Sequence, residues 1–131
     1  MRVALLQYPI AWADKETNLR YAEERIAALA GKADVAVLPE MFATGFCTDH
    51  PELAETMDGD IIRRLQAVVN HSGVAIVTSF ICLPAAGQRL VNRGFMITPR
   101  SISLPSKGEL EGIQIQDKRH LYAHGGEDLF F

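Results

Sequence analysis

Apolar and polar residues follow one another in patterns that predict strands and helices in turn. The short apolar runs at residues 3–7 and 35–38 lack a polar alternation, which is typical of strands covered on both faces. Between them, apolar residues recur at helical spacing over residues 14–31, and Asp14 or Thr17 could cap the start. The first 40 residues therefore predict a βαβ unit.

The second half of the chain continues the same pattern. A helix is predicted over residues 60–71, with Asp58 or Asp60 as its cap. The β-branched and apolar composition of the later segments predicts three strands, the first two forming a hairpin; they lie at residues 74–83, 90–98 and 113–116. The order β-α-β-α-β-β-β indicates the α/β fold class.

Two segments without a clear period separate these elements. Residues 41–57 and residues 99–112 are rich in turn-forming and polar positions, and we expect both to be loops. Long loops within compact domains are often functional.

Composition and charge exclude several classes of protein. The 131 residues are 48% apolar and 22% charged, which suits one compact domain. A net charge of −3 without a Lys/Arg cluster argues against a nucleic-acid partner. The apolar run at the N-terminus is broken early and no 18-residue apolar span follows, so we expect a cytoplasmic protein that does not enter the membrane.

Two ionisable residues each lie two positions after the end of a predicted strand. Glu40 comes after the second strand, and a carboxylate held partly out of water there suits a general base or acid. Lys118 follows the last strand, and an ammonium at the same sheet edge could stabilise developing negative charge. Each residue has a plain alternative, since strand ends also carry ordinary surface acids and solvated lysines.

The two cysteines could be chemical or structural. A loop cysteine seven residues from Glu40, Cys47 is a candidate nucleophile, but the pattern favours a small apolar residue of the loop. Cys82 lies within an apolar strand and is predicted to be in the core. With no export signal in the sequence, we expect both to be free thiols.

A metal site can be drawn near the end of the chain, with two histidines at helical spacing. The glycines that follow leave little helix to hold that geometry, so we expect no metal there and a tight turn presenting Glu127 to a neighbour. The residues of the drawn site are His120, His124, Glu127 and Asp128.

Four sequence phrases, taken in order, resemble the nitrilase superfamily of carbon–nitrogen hydrolases. They are "VALLQ", "VLPEMFATGF", "VNRGFMITP" and "DKRHLY". The phrases "PEMFATGF" and "DKRHL" are most similar to the omega-amidase branch of that superfamily. The resemblance covers nearly the whole chain, and the ordered set is more specific than any one phrase.

The resemblance implies a fold, a reaction and roles for several residues. It implies an αββα sandwich, usually dimerised through a helical layer, and amide hydrolysis by a Glu-Lys-Cys set with no metal or organic cofactor. Glu40 would be the general base, Lys118 the catalytic lysine and Glu127 the additional glutamate of many members. Phe42 and Phe46 would help to line the site of a small amide substrate.

The sequence departs from the family in two places. The family nucleophile lies a few tens of residues beyond the lysine, whereas thirteen residues follow Lys118 here, and neither cysteine matches that place. Residues 99–112 also look like an insertion. We therefore expect one carbon–nitrogen hydrolase domain over residues 1–131 that lacks the nucleophile, with an uncovered sheet face favouring a homo-oligomer. The alternative function is a non-catalytic assembly module.

Overall fold

The computed structural model describes residues 1–100, 113–121 and 127–131, with the side chains of 128 and 130 left aside. Most of the predicted loop at 99–112 lies outside the described residues. The described elements, in chain order, are β1 Val3–Leu5, α1 Lys15–Ala28, β2 Val35–Val37, a 3₁₀ turn Pro51–Leu53, α2 Asp60–Ser72, β3 Ala75–Cys82, β4 Val91–Ile97, β5 Ile113–Asp117 and α3 Glu127–Phe130.

The described strands form one mixed sheet in the order β1-β2-β3-β4-β5. Strands β1, β2 and β3 are parallel, as the two helical crossovers between them require. Strands β3, β4 and β5 are antiparallel. The predicted α/β class, element order and hairpin are therefore confirmed.

Helix α1 begins where the sequence predicted. The Asp14 side chain accepts a hydrogen bond from the Thr17 N–H at 3.1 Å, so Asp14 is the cap and Thr17 is its donor. The helix ends at Ala28, three residues before the end of the predicted range. Its buried positions include Leu19, Ala22 and Ile26, which recur at the helical spacing that predicted the helix.

Helix α2 is capped differently from the prediction. Its N-cap is Gly59, which has no side chain to offer, and neither Asp58 nor Asp60 caps the helix. The Glu55 carboxylate instead accepts the Ile61 N–H at 2.8 Å. A Cβ at Gly59 would lie 2.7 Å from Glu55 Oε2, so glycine permits this approach. The cap comes from a residue outside the helix, which local patterns do not reveal.

One face of the sheet packs against α1 and α2 and forms the main core. Its fully buried large side chains include Phe42, Phe80, Ile26, Leu65 and Ile76. A smaller cluster of buried residues lies around Met41, Cys47, Ile81 and Phe131. This arrangement fixes the loop after β2 against the end of β3.

The other face of the sheet is not covered by a helical layer in the described residues. Val3 is 50% exposed and Leu5 is 77% exposed, and both project from β1 on this face. Within the described residues β1 is therefore not covered on both faces as its apolar run predicted, and the sheet has the uncovered face that was also expected. The apolar run does form a strand, but an apolar sequence does not by itself show whether a second layer is present.

Within the described parts of the chain, no helix has the length and apolar character needed to cross a bilayer.

Candidate active site

Glu40 is presented by a tight turn directly after β2. The next residue, Met41, has φ of +50°, a left-handed conformation that favours glycine, and its side chain is fully buried. The Met41 N–H donates to Ser79 Oγ on β3 at 2.9 Å. Burial of Met41 and this hydrogen bond hold the strained turn and so fix the start of the Glu40 side chain.

The Glu40 carboxylate lies partly in solvent and partly against other polar groups. Its side chain is 51% exposed, and it accepts two hydrogen bonds through Oε1. The donors are the Lys118 ammonium at 2.9 Å and the Asn92 side-chain amide at 2.6 Å. The two donors, rather than burial in an apolar pocket, define the surroundings of this carboxylate.

Lys118 follows β5 and reaches two carboxylates at once. Its Nζ lies 2.9 Å from Glu40 Oε1 and 3.1 Å from Glu127 Oε2. Partial burial works against the charged form, but the hydrogen bonds to Glu40 and Glu127 outweigh it, and the pKa of Lys118 is raised above its ordinary value. Lys118 is therefore a cation at neutral pH and not a base.

Glu127, at the start of α3, has no exposed surface. Its Oε1 accepts from Asn92 Nδ2 at 3.0 Å, while its Oε2 faces Lys118. A buried carboxylate needs such partners because an unpaired buried charge is strongly unfavourable. Glu40, Lys118 and Glu127, each predicted as a site residue, therefore lie together.

Asn92 belongs to this cluster and was not singled out from the sequence. It is 2% exposed on β4, and it contacts both carboxylates. The available signal was a polar residue within an otherwise apolar hairpin strand, and that signal is weak because strands often carry polar residues on a solvated face.

The two predicted substrate-lining aromatic residues occupy different places. The ring of Phe46 lies 5.4 Å from Lys118 Nζ, a cation–π contact at the edge of the cluster. Phe42 has no exposed surface and packs in the main core. The substrate contact expected of each residue stays a prediction.

An open groove of about 340 Å³ runs along the uncovered sheet face beside the cluster. Apolar side chains on neighbouring strands, including Val37 and Val77, line its floor, and Glu40, Asn92 and Lys118 line its polar end. A small molecule with one polar end would match this distribution.

Both cysteines are buried free thiols, as predicted. The Cys47 Sγ donates to the Thr44 carbonyl at 3.3 Å, so its proton is directed at a backbone oxygen rather than at Glu40. Cys82 lies in the sheet, and burial raises the pKa of its thiol, which disfavours the reactive thiolate. Neither geometry is that of an activated nucleophile.

The metal site considered from the sequence is only partly within the described residues. His124 and the side chain of Asp128 lie outside them, His120 is exposed, and Glu127 is engaged by Lys118 and Asn92.

The cluster places one half-exposed carboxylate beside an ammonium at the polar end of a groove. A carboxylate in that position can accept and return a proton, and the ammonium can stabilise an oxyanion.

Comparison with known proteins identifies the protein family of this chain. The sequence profile described as carbon-nitrogen hydrolase matches residues 2–130. The chain belongs to the carbon-nitrogen hydrolase family. This result confirms the resemblance found in the four sequence phrases.

Curated relatives include omega-amidases of two bacteria. The chain is 28% identical to the omega-amidase YafV of Escherichia coli K12, covering 100% of this chain and 46% of that protein. It is 33% identical to the omega-amidase YafV of Yersinia enterocolitica, covering 97% of this chain and 44% of that protein. The chain therefore spans less than half the length of these relatives and matches their N-terminal half.

Solved structures share the fold. The carbon-nitrogen hydrolase superfamily protein XC1258 of Xanthomonas campestris superposes with a TM-score of 0.84 at 30% identity, covering 99% of this chain and 44% of that chain. An amidase of Nesterenkonia superposes with a TM-score of 0.76 at 21% identity, covering 100% of this chain and 49% of that chain. The chain has the α/β fold of the nitrilase superfamily.

Proposed function

We propose that the chain supplies the base and the electrophilic lysine of an amidase that releases ammonia from the terminal amide of small keto-acid amides. The observation that carries this proposal is the convergence of Glu40 and Glu127 on Lys118 Nζ, at 2.9 and 3.1 Å. The omega-amidase relatives support the substrate class.

In the proposed reaction Glu40 takes the proton of a cysteine thiol, and the thiolate attacks the amide carbon. Lys118 hydrogen-bonds to the oxyanion of the tetrahedral intermediate. The C–N bond then breaks, Glu40 returns the proton to the leaving nitrogen, and ammonia departs from a thioester. Water, deprotonated by Glu40, attacks the thioester carbon; the C–S bond breaks and the thiolate recovers the proton, releasing the acid.

The nucleophile in this proposal is a cysteine outside residues 1–131. The orientation of Cys47 toward a carbonyl and the burial of Cys82 in the sheet support this choice. The same proposal treats residues 1–131 as part of one carbon–nitrogen hydrolase domain with a cytoplasmic location.

Ammonia release from a small keto-acid amide tests the reaction. The assay compares this chain with a version extended through the family's nucleophile position. We expect turnover only in the extended version, and its loss in Glu40→Gln and Lys118→Met variants. Glu24→Gln and Lys32→Met, at exposed positions, are the matched controls. Absence of ammonia release from both versions would refute the substrate assignment.

A non-catalytic assembly role is the second candidate, and the uncovered sheet face favours it. The 50% exposure of Val3 and 77% exposure of Leu5 leave apolar surface that a partner layer or a second copy would bury. Sedimentation of the chain across a concentration series tests this role. A stable, specific oligomer without turnover supports assembly, whereas a monomer at all concentrations contradicts it.

A further inference from the structure

Asn92 is a buried amide at the centre of the candidate site. It lies near the start of β4 and is 2% exposed. Burial of a side-chain amide is unfavourable unless its polar atoms have hydrogen-bond partners. The partners that Asn92 has are therefore informative about why this residue is present.

Both carboxylates of the site accept hydrogen bonds from the same nitrogen of Asn92. Nδ2 lies 2.6 Å from Glu40 Oε1 and 3.0 Å from Glu127 Oε1. An ionised carboxylate only accepts hydrogen bonds, so the amide nitrogen and not its oxygen must face the two glutamates. One NH₂ group uses its two protons on two different acids.

The hydrogen bonds form a closed ring. Asn92 contacts Glu40 and Glu127, and Lys118 Nζ contacts the same two carboxylates from another direction. Two neighbouring carboxylates repel each other, and one ammonium carries only one compensating charge. The neutral donor supplies the second set of hydrogen bonds that holds them close.

The main chain of Asn92 also positions the lysine. The Lys118 N–H donates to the Asn92 carbonyl at 2.9 Å, extending the β4–β5 ladder past the Arg93–Asp117 pair. Side chains alternate between faces along a strand, so Arg93 pairs with Asp117 on the helix side while Asn92 meets Lys118 on the groove side.

We propose that Asn92 is the positioning residue of the site, holding the carboxylates of Glu40 and Glu127 against the Lys118 ammonium. An amide does not gain or lose a proton near neutral pH, so it orients Glu40 without competing for the proton that the base must carry. The consequence for catalysis rests on the amidase function proposed above, whereas the positioning itself can be measured without turnover.

The unmodified chain offers the first test, by NMR of asparagine side-chain amides. We expect the two Asn92 Nδ2 protons to exchange with solvent at least about tenfold more slowly than those of exposed Asn70 in the same sample. Exchange of Asn92 at the Asn70 rate would overturn the proposal. This measurement needs no variant and so does not depend on whether a substitution folds.

Two substitutions provide the second test, read as the pKa of Lys118 by NMR of its side chain. In Asn92→Ala the carboxylates lose a shared donor and separate, so the pKa of Lys118 should fall toward its ordinary value. In Asn92→Asp a third carboxylate joins the ring, so the pKa of Lys118 should rise further. Asn70→Asp makes the same chemical change at an exposed position and should leave it unchanged.

If Asn92 only filled space, Asn92→Ala and Asn92→Asp would not be expected to shift the pKa of Lys118 in opposite directions. If both variants leave the pKa of Lys118 at the value in Asn70→Asp, the proposal is wrong. In the extended version that turns over amide, Asn92→Ala should lower kcat about 10–100-fold with little change in KM. If the amidase assay fails, only this kcat measurement is lost, and the exchange and pKa measurements still test the positioning role of Asn92. The amidase proposal and the Asn92 proposal can therefore fail separately.

Discussion

Glu55 links helices α1 and α2 through one side chain, and removal of that side chain should destabilise the fold measurably. Its Oε2 accepts the Ile61 N–H at the start of α2, and its Oε1 accepts the Lys15 ammonium at the start of α1, each at 2.8 Å. The Glu55 side chain is only 14% exposed. Its backbone separately bonds to the Ile81 carbonyl and the Leu83 N–H, so a substitution leaves the loop anchored.

The expected loss in free energy of unfolding follows from the interactions that each substitution at Glu55 removes. Glu55→Ala leaves the Ile61 N–H without its acceptor, a loss of about 1–2 kcal/mol for a helix cap. It also removes the ion pair with Lys15, worth about 0.5–1 kcal/mol because Lys15 keeps access to water. The expected sum is about 1.5–3 kcal/mol. Glu55→Gln retains an acceptor and should lose only about 0.5–1 kcal/mol.

Urea unfolding followed by far-UV circular dichroism measures these free energies. The single tryptophan, Trp12, is 62% exposed, so its fluorescence would report the transition poorly. With a slope of about 1–3 kcal/mol per M, Glu55→Ala should lower the midpoint by about 0.5–3 M. Glu24→Ala, at an exposed position of α1, is the control. Equal midpoints for Glu55→Ala and Glu24→Ala would refute the capping role.

Three further changes test other parts of the structure. The Tyr8 hydroxyl has no hydrogen-bond partner among the described residues, and burial raises the pKa of Tyr8 from 10.0 to about 12. Because the pKa is raised on folding, the stability that Tyr8 contributes is complete below pH 10 and is lost as the pH rises toward 12. Tyr8→Phe should therefore remove this alkaline loss of resistance to urea. The same pH profile in both proteins would contradict the role of Tyr8. Asn18 Nδ2 donates to the Ala43 carbonyl at 2.9 Å, so Asn18→Asp should cost about 2–4 kcal/mol in urea unfolding, and a cost below about 0.5 kcal/mol would contradict its bridging role. Ser79→Ala leaves the buried Met41 N–H without its acceptor and should cost about 1–3 kcal/mol in urea unfolding, and an unchanged free energy of unfolding would contradict this role of Ser79.

Local sequence patterns predicted the strands and helices, but not the residues that cap or cover them. The apolar runs and helical periods predicted the strands and helices to within a few residues, because side-chain spacing depends only on the local backbone geometry. They failed at the cap of α2, where the acceptor is Glu55 rather than Asp58 or Asp60. They also failed for β1, whose outer face has no helical layer among the described residues.

Some residues of the candidate site were also predictable from local sequence, and others were not. Glu40 and Lys118 were predictable because each lies just beyond the end of a strand and in a phrase that resembles the family. Asn92 was not, because a polar residue in a strand is ambiguous until the facing residues are known. Its bond to Glu40 joins residues 52 positions apart, and the Lys118 bond to Glu40 joins residues 78 apart.

The sequence alone therefore determined the order of elements and two of the charged residues at strand ends. Only the tertiary structure decided that β2, β4, β5 and α3 bring two carboxylates, an ammonium and an amide into one ring. The physical reason is that periodicity and capping are local properties, whereas hydrogen-bond partners distant in sequence depend on strand order and register.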